Sequence, residues 1–261
     1  MTELRVRPRV WIGLAICAAY LVVVFLIQLA SGIPYTAWGD SAENLFLGAD
    51  ISLIVAGALL AITTSVLGWW RPALVDEHRS RYAWPIVAPA LFALLAVVNL
   101  ALTDWGSVGT PFIGAAALLL LVGFTEELTI RGLLLVALRS RLAEGWVWFL
   151  SSLIFALLHG VNVLLGADLF GTIEQMLFAF AVGSAYYIVR RVTGSLIPAM
   201  ILHAVWDFSV FMVTQGHPTD LAQIVNAVIP IAGLLTLVCV PFVIRGTARP
   251  AAALRSGRKL E

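Results

Sequence analysis

Glu126, Glu127 and Arg131 lie in the run GFTEELTIRGLL, Gly123–Leu134, which is otherwise apolar enough to live in lipid. Charge at such depth costs at least about 2.5 to 3.5 kcal/mol per group, so three together require a reason. Spacing separates their roles. Glu127 and Arg131 are four apart and can pair across one helical turn, whereas Glu126 projects about 100° round from Glu127. Glu126 is left as the unpaired carboxylate and the candidate reactive group. Farther along, His159 ends the apolar run SSLIFALLHG with Phe155 one turn before it, and His203 and Asp207 share a helix face in ILHAVWDF. A His and a carboxylate on one face in mid-membrane can act as a proton relay, a metal site or a structural lock. Glu126, His159 and His203 could also form the His-His-Glu ligand set of a catalytic zinc, although no HExxH is present.

The elements that must hold these residues are read from composition. Apolar residues make up 61% of the chain and charged residues 12%, against about 25% charged in a soluble domain. The expected fold is all-α, a polytopic membrane bundle. Eight apolar runs approach the roughly 20 residues needed to cross a bilayer: Trp11–Ala30, Ile51–Trp70, Pro85–Leu102, Phe112–Leu138, Trp146–Leu165, Ile173–Val189, Ser195–Val213 and Ile224–Ile244. The first follows Arg5, Arg7 and Arg9 but exceeds the roughly 7 to 15 residues of a signal-peptide core, so it reads as an uncleaved span. The net charge of +1 conceals an asymmetry and offers no footprint for nucleic acid. Arg71, Arg79, Arg81, Arg139, Arg141, Arg190 and Arg191 fall in the even-numbered loops, and Arg245, Arg249, Arg255, Arg258 and Lys259 in the tail. The odd loops carry no Lys or Arg; their charges are Asp40, Glu43, Asp50, Asp104, Asp168 and Asp220, with Glu174 at the mouth of span six. By the positive-inside rule both termini are cytoplasmic, and Arg131 alone among the basic residues is expected inside a span. Residues 1–245 read as one integral-membrane domain with a core at about 112–213, and 246–261 as a basic cytoplasmic tail. Cys17 and Cys239 lie in apolar runs and suggest neither a disulfide nor a metal site.

Depth links the polar residues. Counted from the Arg-rich helix ends at 1.5 Å per residue, Glu126 lies about 18 Å up, His159 about 20 Å, and His203 and Asp207 about 14 and 20 Å. Unrelated structural polar residues have no reason to share a level.

The set EExxxR (Glu126, Glu127, Arg131), FxxxH (Phe155, His159) and HxxxN/D (His203, Asp207), in this order on apolar segments, resembles the CAAX-protease and bacteriocin-processing family of intramembrane proteases, also called CPBP or Abi. TGSLIPAMILHAVWD, Thr193–Asp207, is similar to that family's final motif region. The resemblance covers roughly 123–208. It implies an endopeptidase in which Glu126 and His159 hold and deprotonate a water, His203 and the residue at 207 stabilise the oxyanion, and Glu127, Arg131 and Phe155 support the site. Asp207 departs from the commoner Asn. An ionised Asp donates no hydrogen bond, so either it stays protonated or it orients His203.

These readings lead to an intramembrane peptidase acting on a membrane-associated or lipidated peptide in the plasma membrane of a bacterium, entered from the cytoplasmic side. A metal-free carboxylate mechanism is favoured over zinc, with membrane lipids and a peptide substrate as partners. Two other classes remain open. One is a proton-coupled transporter using the same Glu and His residues, which lacks the usual internal repeat. The other is a non-catalytic immunity or scaffold relative.

Overall fold

The computed structural model describes residues 4–216, 220–222 and 227–246. The tail expected at 246–261 lies almost wholly outside the described residues, as does the start of the eighth expected span. Among the described residues the chain is all-helical, with one isolated backbone bridge between Val75 and Ser195.

Seven helices are long and apolar enough to cross a membrane: α1 Val10–Ser31, α2 Ala42–Leu67, α3 Trp84–Leu102, α4 Thr110–Leu138, α5 Glu144–Leu165, α6 Leu169–Thr193 and α7 Ile197–Gln215. They make this a multi-pass membrane protein. The eighth apolar run forms a helix of 17 residues, α8 Ile229–Arg245.

Two helices are extended beyond expectation, and each extension relocates charge. Helix α2 starts nine positions earlier than the apolar run suggests, because Ser41 caps it by accepting from the Asn44 backbone N–H at 3.0 Å. Asp50, expected in the first loop, is therefore inside a helix and fully buried. Helix α6 is longer at both ends. Asp168 caps its start by accepting from Gly171 N–H at 2.8 Å, and Gly194, at φ 76°, ends it in the left-handed conformation that favours glycine. Arg190 and Arg191, expected in a loop, thus belong to the last turn of α6 and are fully buried.

Helix α4 is the hub, packing on α1, α2, α5 and α7. Its stretch Leu128–Leu134 has π geometry and is buried throughout. Just before it, Gly123 lets α4 and α7 approach closely. A Cβ there would run into the Met200 carbonyl and come within 2.9 Å of Ala204 Cβ. Overpacking of this kind costs about 1 to 3 kcal/mol. Gly123→Ala is therefore expected to lower the thermal unfolding midpoint in detergent and to push Glu127 away from His203. An unchanged midpoint would show that the two helices separate freely.

The Arg-rich end of the bundle is tied together by ion pairs. Asp76, in the loop between α2 and α3, is buried and bound by Arg139 through both Nη atoms at 3.1 Å and by Arg190 Nε at 3.2 Å. Arg190 also donates to the carbonyls of Pro72, at 2.8 Å, and Ala73, at 2.6 Å, and to that of Arg131. Glu144 accepts from Arg139 and Arg191 at 2.6 Å each and from the Tyr187 hydroxyl at 2.7 Å. Burial by itself would raise the Asp76 pKa, but Arg139, Arg190 and Arg191 outweigh it and hold the carboxyl down at about 2. The loop is stitched to the α6–α7 turn by Asp76 N–H to Gly194 O at 3.0 Å and Leu196 N–H to Leu74 O at 2.9 Å.

Candidate active site

The pair foreseen from spacing is present. Arg131 Nη1 donates to Glu127 Oε1 at 2.8 Å, with both side chains fully buried. Two buried charges need more than each other, and further partners are supplied. The guanidinium lies over the Phe155 ring, 4.1 Å from its centroid, a cation–π contact. The same Oε1 contacts His203 Nδ1 at 3.1 Å. Space for the guanidinium comes from Gly183 on α6, where a Cβ would strike Arg131 Nη2 and approach Phe155 to 2.9 Å.

His203 is clamped on every side. A carboxylate only accepts, so Glu127 fixes a proton on Nδ1. Nε2 faces two further carboxylates, Asp207 Oδ2 at 3.6 Å and Glu126 Oε2 at 3.8 Å. Tyr186 stacks on the imidazole at 4.7 Å and 16°, and Phe155 meets it edge-on at 5.7 Å. The ring is thus fixed in plane and in rotation.

His159 ends the α-helical part of α5 and opens a 3-10 stretch, His159–Leu165, rather than sitting within a continuous α-helix. Its Nδ1 lies 3.0 Å from the Phe155 carbonyl. A carbonyl only accepts, so Nδ1 is the donor and Nε2 of the neutral ring is left with a lone pair. Phe155 therefore holds both histidines, His159 through its carbonyl and an edge contact at 5.1 Å, and His203 through its ring.

Glu126, His159 and Asp207 line one cavity together with Tyr20, Gln28, Tyr35, Asn162 and Gln175. His159, His203, Asp207 and Tyr186 line a second of about 370 Å³. Tyr35, His159, Gln175, Asp207 and Phe211 border both, so the two form one cleft with His159 and Asp207 at the junction. Side-chain exposure divides the group: Glu126 is 20% and Asp207 32% exposed, whereas Glu127 and Arg131 are at 0%. The seven residues singled out in the sequence are thus gathered in one place. Among the described residues, no group of three or more His, Cys, Asp or Glu side chains is arranged to hold a metal ion. Glu126, His159 and His203 share the cleft without forming that ligand set.

The lining residues give the cleft a direction. Tyr35, Trp38, Asn162, Gln175 and Phe211 are in or near the odd-numbered loops, so the cleft lies toward the end of the bundle away from the arginines. At the Arg-rich end Asp76 is bonded to both Arg139 and Arg190.

Sequence reading missed Tyr186, Tyr35, Asn162 and Gln175. Gln175 bridges Asn162 and Tyr35, accepting from Asn162 Nδ2 at 3.0 Å and donating to Tyr35 Oη at 3.1 Å. The polarity of Asn162 and Gln175 inside apolar runs was the available signal. An aromatic residue in an apolar helix gives none.

Residues 107–209 match the family model described as Type II CAAX prenyl endopeptidase Rce1-like. The matched stretch covers less than half of the chain but contains every site residue from Glu126 to Asp207. No curated protein matches the chain.

Proposed function

We propose, from the premise that residues 107–209 form a domain of the Rce1-like type II CAAX prenyl endopeptidase family, that the chain is an intramembrane endopeptidase cutting a membrane-associated or lipidated peptide. The observation that carries this is the meeting of Glu126, His159 and Asp207 on one cleft, with His203 locked at its edge. Glu126 takes a proton from a water polarised by the free Nε2 of His159. The water oxygen attacks the peptide carbonyl carbon, and the proton passes to the departing amine as the C–N bond breaks. His203, protonated on Nε2 as well as Nδ1, donates to the oxyanion; donors of this kind contribute about 2.7 to 4 kcal/mol each. Asp207 orients His203 and balances its charge. Glu127 and Arg131 hold the ring from behind.

The reaction as written needs no metal or other cofactor. The protein resides in the plasma membrane, with α8 as an eighth crossing and both termini in the cytoplasm, as the Arg distribution favours. Lipid and the peptide substrate are its partners.

The test is hydrolysis of quenched fluorogenic peptides by purified protein, wild type against Glu126→Ala and His159→Ala, with and without a chelator. Both variants are expected to be inactive and the chelator without effect. Full activity in Glu126→Ala would sink the assignment, and activity lost to the chelator and restored by zinc would reverse the metal-free reading. Asp207→Asn isolates the role at that position. An orienting Asp predicts reduced kcat with little change in KM, whereas activity at or above wild type would make position 207 a donor.

A further inference from the structure

We infer that the cleft is entered from the face of the membrane opposite the arginines, the outer face, and that its substrate is a cationic peptide segment presented there. The inference rests on the endopeptidase reading for the chemistry but on separate observations for side and charge.

The side follows from two features at opposite ends of the bundle. Toward the odd loops the cleft is walled by Gln28 near the end of α1, Tyr35 and Trp38 in the loop after it, Asn162 near the end of α5, Gln175 near the start of α6 and Phe211 near the end of α7. Each of these is in the half of its helix, or in the loop, remote from the arginines. At the other end Asp76, Glu144, Arg139, Arg190 and Arg191 interlock beneath the site, and the backbone of the loop before α3 is bonded across the α6–α7 turn. Lys and Arg collect on the cytoplasmic side of membrane proteins. The open end is consequently the outer one.

The charge follows from what surrounds the mouth. Asp40, Glu43, Asp104, Asp168, Glu174 and Asp220 are all exposed at this end, and no Lys or Arg occurs in any of its loops. Glu126 and Asp207 extend the same sign into the cleft. Such a surface steers cations inward and repels anions, more strongly at low salt. A free C-terminal carboxylate is disfavoured on these grounds, so the cut falls within a basic segment. The wall supplies the second element of recognition. Tyr35, Trp38, Phe178 and Phe211 are aromatic and suit an apolar side chain beside the scissile bond. The substrate class is a chain that is exported or anchored at the outer leaflet, with Lys or Arg near an apolar residue at the surface.

The test uses spheroplasts, which expose the outer face, and sealed inverted vesicles, which expose the inner one. In a Cys17→Ala, Cys239→Ala background, Gln175→Cys and, independently, Val161→Cys, both at positions lining the cleft, are treated with a membrane-impermeant maleimide. Labelling in spheroplasts and protection in inverted vesicles is expected, and the reverse overturns the side. This arm decides access even where no peptide is cut, and either cysteine suffices if the other variant misfolds. In parallel, impermeant quenched peptides sharing one apolar core are supplied with flanking Lys or flanking Glu. Glu126-dependent cleavage by spheroplasts, at least about tenfold faster for the Lys peptide at low salt and converging as salt rises, is expected. Cleavage by inverted vesicles alone, or preference for the Glu peptide, overturns the inference and leaves the endopeptidase intact. Absence of Glu126-dependent cleavage of every peptide in detergent instead strikes the endopeptidase reading, with outer labelling still supporting access.

Discussion

Glu126→Gln protein is expected to stay folded and to hydrolyse peptide at least about 100-fold more slowly than wild type, the lower end of what a positioned general base contributes. The substitution preserves volume and removes the negative charge from a side chain that faces the cleft. Thermal stability should be unchanged or improved, because Glu126, Glu127 and Asp207 crowd three carboxylates around one imidazole. Glu127→Gln is the contrasting case. Glu127 is fully buried between Arg131 and His203, and breaking a buried charge pair costs about 3 to 5 kcal/mol. That variant should lose stability and activity together. The two measurements, kcat and unfolding midpoint in detergent, distinguish base from brace. If Glu126→Gln were the destabilised one and kept its kcat, the roles would have to be exchanged.

Asp76→Asn is expected to destabilise the protein by about 3 to 5 kcal/mol without touching the cleft, because it leaves Arg139 and Arg190 buried with one counter-charge fewer. The effect has a pH signature. Asp76 has its pKa lowered from 3.8 to about 2, so its contribution is complete above 3.8 and is lost as pH falls from there toward about 2. Linkage puts that contribution at about 2 kcal/mol. The difference in unfolding midpoint between wild type and Asp76→Asn should therefore be constant from pH 7 down to 4 and shrink below it. A difference that persists undiminished at pH 2 would mean that packing, not charge, is what Asp76 supplies.

The readable part of the chain was what local spacing expresses. Glu127 and Arg131 pair at four residues, and counting helical rise from the Arg-rich ends placed Glu126, His159, His203 and Asp207 at one level, where the fold brings them to one cleft. The illegible part was what distant partners decide. Arg190 and Arg191 look like loop residues by the positive-inside rule. Partners far off in sequence, among them the carboxylates of Asp76 and Glu144, allow them to be buried in α6. For the same reason the side of entry is not legible in the loops: a basic loop marks a face but does not say whether that face is open. Asp50 was misplaced because hydropathy does not register a polar helix start, and the cap at Ser41 extends α2 over it. His203 was expected beside the oxyanion, but its stacking on Tyr186 left no periodic trace.

The π stretch Leu128–Leu134 acts as a phase shifter. A π turn takes up one more residue than an α turn, so residues after it are rotated relative to those before it from where an unbroken α-helix would carry them. Before it stand Glu126 and Glu127, which must face the cleft and His203; after it stands Arg139, which must face Asp76. The rotation lets one rod satisfy both ends, and the carbonyl of Arg131 within the stretch is taken by Arg190. If the same residues were wound as a regular α-helix, the far end would be turned by about 100°. Chemistry and closure would then be out of step, although every residue serving either would still be present.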